Sequence, residues 1–156
     1  MSVEKLNLSG GILHVPVSMD GVDTGCSLDF NPSDQGFAED LYGLVSKLSK
    51  IHEETRERYE AAQEPADKFD ISREEDRLMR SAVDSLFGEG FCKDVFKTRL
   101  FAIAGGLTVI ENFLLGILDM MDASVTENMA KRDARIRKYT EKYKKYTGSD
   151  SGEVFA

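Results

Sequence analysis

Leu86-Phe87-Gly88-Glu89-Gly90-Phe91-Cys92-Lys93-Asp94-Val95-Phe96 is the stretch around which the rest of the chain is expected to pack. Together with Phe101 and the apolar run from Leu107 to Met121 it holds five of the nine phenylalanines, Phe87, Phe91, Phe96, Phe101 and Phe113, and Phe69 lies just upstream. Each buried ring removes about 150–250 Å² from water, so a small protein places its core where its rings cluster. Gly88 sits where a left-handed residue would stop the preceding helix. After Gly90 a short helical turn carrying Phe91, Val95 and Phe96 is expected, with Lys93 and Asp94 facing water. Gly105-Gly106 then separates that turn from a long final helix, in which Leu107, Ile110, Phe113, Leu114, Ile117, Leu118 and Met121 keep helical spacing and Val109 and Leu115 widen the stripe. A face that wide exceeds what one partner helix covers, which implies central burial in a bundle or contact with a second subunit.

Upstream, residues 3–30 alternate at period two: Leu6 and Leu8, then Leu13, Val15 and Val17, then Cys26, Leu28 and Phe30. That is the pattern of strands with one buried face, with corners at Ser9-Gly10-Gly11 and Asp20-Gly21. Pro16 cannot donate to a ladder, so its strand is expected to be an edge or bulged. Asn31-Pro32-Ser33-Asp34 ends the extended part, and Ser33 or Asp34 is placed to cap the next helix. In that helix Phe37, Leu41, Leu44, Val45, Leu48 and Ile51 form one stripe, after which the charges of His52 to Glu60 take over and only Tyr59 continues it. Glu64-Pro65-Ala66-Asp67 breaks the helix. Ser72-Arg73-Glu74-Glu75 has capping-box spacing and is expected to open a second helix with Leu78, Met79, Ala82, Val83, Leu86 and Phe87 on its buried face. Beyond Met129 the final helix turns basic, its Lys and Arg residues interleaved with Tyr139, Tyr143 and Tyr146. The expected fold is thus mainly α: a small helical bundle with an N-terminal β-hairpin or meander and a long C-terminal helix. It forms a single domain over 1–147, with a β segment at 1–30, helices over 34–147, and a disordered tail at 148–156.

The 156 residues suffice for one core without staples. Cys26 and Cys92 lie far apart with no second Cys or His at metal spacing, which indicates two reduced thiols rather than a disulfide framework or a zinc site. The formal charge of −8 is uneven: residues 1–130 carry 12 Lys and Arg against 24 Asp and Glu, whereas 131–156 carry 8 against 4. An acidic body with a basic end disfavours nucleic acid as the main ligand, because phosphate binding calls for a basic surface on the folded part. The start lacks the basic and apolar regions of a signal peptide. The run Ile110–Met121, interrupted by Glu111, Asn112, Gly116 and Asp119, falls short of the ~20 residues that span a bilayer. A cytoplasmic protein without membrane contact is expected.

Nothing in the sequence converges as a catalytic set. His14 and His52 have no nucleophile pattern beside them, and adjacent carboxylates such as Glu53-Glu54 point in different directions on a helix. Gly88-Glu89-Gly90 and Gly105-Gly106 lack the Lys-Ser/Thr ending of a phosphate loop, and Asp20-Gly21-Val22-Asp23 lacks the closing Glu of a calcium loop. No enzyme, cofactor or metal is therefore expected.

Leu86 to Gly90 followed by Cys92 to Phe96, a further apolar helix, and a Lys-rich end containing Lys142-Tyr143 resemble the tail assembly chaperones of long-tailed bacteriophages of Gram-positive hosts. The likeness extends in layout over residues 5–146 and departs at Leu100-Phe101-Ala102-Ile103-Ala104, where the family has a polar turn. The resemblance implies a non-enzymatic, homo-oligomeric protein that coats the tape-measure protein until tail-tube subunits polymerise around it. It would work by helix-in-groove contact through Phe91, Val95, Phe96, Phe101, Ile110, Phe113, Leu114 and Ile117. The same residues would equally fill the monomer's own core. The other functions compatible with the sequence are a virion structural or head–tail connector component and, less well supported, a nucleic-acid-associated regulator using the basic end.

Overall fold

A computed structural model describes residues 4–147, and the expected tail at 148–156 lies outside the described residues. The elements are β1 (Leu13–Met19), β2 (Val22–Phe30), α1 (Gln35–Ala61), α2 (Pro65–Phe87), α3 (Phe91–Val95), β3 (Ile103–Ala104), β4 (Leu107–Thr108) and α4 (Val109–Thr147). The protein is mainly helical, with an N-terminal hairpin and a long last helix, as the sequence periodicities require.

β1 and β2 pair antiparallel around Asp20-Gly21, both at positive φ, which is the two-residue turn that matches strand twist. The register slips between Pro16 and Ser18, so the proline does sit beside a bulge, and the Thr24 hydroxyl donates to the Val17 carbonyl there at 2.7 Å. The Leu6–Leu8 alternation forms no strand: both side chains are exposed and residues 4–12 carry no regular structure. No third strand lies beside them among the described residues, so their backbone groups have no ladder to join.

Asp34 caps α1, its carboxylate accepting from the Gly36 amide at 2.9 Å. α1 buries Leu41, Leu44 and Leu48 against Met79, Ala82 and Val83 of α2. A fully buried leucine such as Leu41 contributes roughly 1.5–3 kcal/mol. The second helix begins at Pro65, not Ser72. Proline at the first helical position has no amide to leave unpaired, so it starts α2 two turns earlier than the capping-box pattern indicates. Ser72 and Glu75 are committed elsewhere: the Ser72 hydroxyl accepts from Arg99 at 3.0 Å, and buried Glu75 meets His52 of α1 at 2.7 Å.

Gly88 ends α2 at φ 117° and ψ 149°, outside the left-handed region; the left-handed residue is Gly90, which caps α3. Gly105-Gly106 is the turn of a small hairpin, β3–β4, rather than a plain helix boundary, and α4 starts at Val109 instead of Leu107. The first amides of α4 donate back into the preceding segment, Val109 to the Ala102 carbonyl at 2.8 Å and Ile110 to that of Leu100 at 2.9 Å. Thr108 and Glu111 complete the start as a reciprocal cap: the Glu111 amide donates to the Thr108 hydroxyl, while the Glu111 carboxylate accepts from the Thr108 amide and hydroxyl. Those two bonds, the hydroxyl's first, hold the Glu111 carboxyl below its ordinary pKa of 4.5.

Candidate protein-docking surface

The phenylalanines named in the sequence do converge. Phe113 of α4 lies 5.3 Å from the ring centre of Phe87, 5.7 Å from Phe91 and 5.3 Å from Phe96, and Phe37 joins Phe87 to Phe30. Edge-on and tilted pairs of this kind add about 0.5–1.5 kcal/mol each beyond the area they bury.

A polar clamp on α2 holds this cluster in place. Asp76, Arg80 and Asp84 recur every four residues and so share one helix face. α3 is a five-residue helix whose cap, Gly90, has no side chain; the Asp84 carboxylate takes over by accepting from the Cys92 amide at 2.9 Å. At the other end the Arg80 guanidinium donates to the carbonyls of Cys92 at 3.1 Å and Thr98 at 2.6 Å, and more distantly to Phe96. Asp76 fixes that guanidinium at 2.7 Å and accepts from the Leu100 amide at 2.9 Å. Cys92, beneath the clamp, is a free and buried thiol. Its burial, and next the hydrogen bond and charge of Asp84, push its pKa well above the ordinary value.

Of the eight residues expected to contact a client, Phe91, Val95, Phe96, Ile110, Leu114 and Ile117 are buried, and Phe101 and Phe113 are half-buried against the same core. The structure divides most of them between two clefts on either side of the α4 start. Val95, Phe96 and Phe113 line the first, of about 290 Å³, with Val17 and Met19 of β1 opposite. Phe101, Ile110 and Leu114 line the second, of about 380 Å³, against Val45, Leu48 and Met79. Phe91 and Ile117 line neither of them. Between the clefts stands the β3–β4 hairpin, whose Ile103 is 70% exposed and which the sequence reading missed. Its signal was present in Ala102-Ile103-Ala104-Gly105-Gly106-Leu107-Thr108: a two-glycine turn between short β-compatible runs. The Asp76/Arg80/Asp84 spacing was equally visible beside the glycine stop.

The rest of the surface differs in kind. His14 and His52 are exposed and paired with Asp29 and Glu75. Among the described residues no three metal-binding side chains converge, and no helix is long and apolar enough to cross a membrane. α4 leaves the core after Met121: nearly every described side chain from Asp122 to Lys138 is exposed, including Val125, Met129 and Ile136. Compared with protein-family models, curated proteins and solved structures, the chain gives no match.

Proposed function

We propose that this protein is a tail assembly chaperone of a long-tailed phage or prophage, which binds the tape-measure protein and promotes tail-tube polymerisation around it. The observation that carries the reading is the order of elements: hairpin, helix, a helix ending at Phe87-Gly88, a short helix closing at Phe96, and a long last helix with a basic end. The client contact is assigned to the cleft lined by Val17, Met19, Val95, Phe96 and Phe113, with exposed Ile103 beside it. An apolar helix of the client laid across that cleft would cover Ile103 and insert one or two side chains against the phenylalanines.

Co-expression with the tape-measure protein, followed by affinity capture of this chain, tests the reading. Capture of a soluble client supports it, and Met19→Asp and Ile103→Asp, neither in the buried core, are expected to abolish capture while leaving helix content unchanged. Capture that both variants leave intact would remove the cleft from the contact. Failure to capture, together with retention of the protein in mature particles, would replace the chaperone by a structural component.

A further inference from the structure

The two ends of the molecule carry opposite charge. α4 runs antiparallel to α1, because Ile110, Glu111 and Leu114 lie beside Leu48, Ser49 and His52 while Met120 to Lys131 lie beside Asn31, Pro32 and Ser33. Each helix therefore overshoots the other. At one end the α1–α2 tip, residues 53–74, extends past the start of α4; at the other, residues 131–147 of α4 extend past the start of α1 for about 25 Å at 1.5 Å per residue. The tip carries 8 Asp and Glu against 4 Lys and Arg, and the arm carries 8 Lys and Arg against 2 acids. Both ends expose apolar surface: Tyr59 and Phe69 on the tip, Ile136 on the arm, and Val125 and Met129 leading up to it.

We propose that the arm of one copy of this chain packs along the acidic α1–α2 tip of the next, so that copies associate head to tail. The arm would lay a third helix on a two-helix tip, its cations against the tip's carboxylates and Ile136 against the exposed rings of Tyr59 and Phe69. Arm against arm would bring two basic helices together and tip against tip two acidic ones, so charge selects the arm-to-tip pairing. The contact uses different surfaces on the two partners and therefore propagates as a row unless it closes into a ring. It does not rest on the tail-assembly reading.

Sedimentation velocity on the full chain tests it. The wild type is expected to form assemblies that grow with protein concentration at about 0.05 M salt and revert to monomer at about 0.5 M, where the Debye length is much shorter. An arm variant (Arg132→Glu, Arg137→Glu, Lys142→Glu) and a tip variant (Glu53→Lys, Glu57→Lys, Glu64→Lys) should each be monomeric alone, with helix content retained by circular dichroism. An equimolar mixture of the two should associate into pairs, because the tip variant's unchanged basic arm then meets the arm variant's unchanged acidic tip. A wild type that is monomeric at low salt, or whose assemblies ignore salt, overturns the proposal. So does a folded mixture that stays monomeric, or association that arm reversal abolishes and tip reversal does not, which would mean arms pairing with each other.

Discussion

The two parts of α4 share one backbone ladder and almost nothing else. From Val109 to Met121 the helix buries Val109, Ile110, Leu114, Ile117 and Met121, and its first amides are tied to the carbonyls of Leu100 and Ala102. From Asp122 to Lys138 nearly every described side chain faces water, steadied by pairs such as Lys131 with Glu127 at 2.8 Å. Such exposed pairs contribute little, because water and salt screen them. The arm is helical because the packed half has already met the cost of nucleation, leaving it only propagation to complete. Continuity of a helix therefore says little about where its stability comes from.

That contrast can be broken at graded cost. Phe113→Ala removes the ring shared by Phe87, Phe91 and Phe96 and is expected to cost about 3–5 kcal/mol in urea unfolding, enough to unfold a marginal domain. Arg80→Met strands the Asp76 carboxylate and the carbonyls at the end of α3. A loss of about 2–3 kcal/mol is expected, with amide exchange accelerating first over residues 91–100.

Thr108→Ala opens the cap of α4 for about 1 kcal/mol, read as a shift in the urea midpoint. The same cap carries a pH signature. The Glu111 carboxyl is held below 4.5, so its contribution is complete above that value and is lost as pH falls through the lowered one. The stability difference between wild type and Glu111→Gln should accordingly shrink on acidification across that window. Smallest of all, Ile136→Ala on the arm is expected to change stability by less than about 0.5 kcal/mol. A larger effect for monomeric protein would mean that the arm folds back on its own body.

Most of the fold was legible where a periodicity met a stop signal. Phe37 to Ile51, the Asp20-Gly21 corner, the bulge at Pro16 and the cap at Asp34 each state a local rule that the packing then satisfies. The misreadings arose where two local rules competed. Ser72-x-x-Glu75 and Thr108-x-x-Glu111 are the same pattern, but only the second caps a helix. Pro65 had already started α2, which left Ser72 and Glu75 free to bind Arg99 and His52. Leu107 has a helical period with Ile110 and Leu114 yet belongs to β4, because Gly105 and Gly106 at positive φ close a hairpin first.

The candidate site was legible as a set of residues but not as a surface. Periodicity gathers Val95, Phe96 and Phe113; whether they face a cleft or the interior depends on β1 and on β3–β4 arriving beside them. The division of charge between arm and tip was partly visible as an acidic body and a basic end. What the sequence could not supply was the antiparallel offset of α1 and α4, which sends the two charges to opposite poles.

Cys92 turns the clamp into a clock. Only a thiolate reacts with a disulfide reagent, and this thiol is both shielded from solvent and held protonated, so in the closed protein it is silent. Half-buried Cys26, on the hairpin, offers an internal comparison on the same molecule. The rate at which Cys92 takes up label thus counts how often α3 lifts from α2. A bound helix that merely covered the cleft would slow that count, whereas one that reached Phe91 and Phe96 by prising the core apart would hasten it.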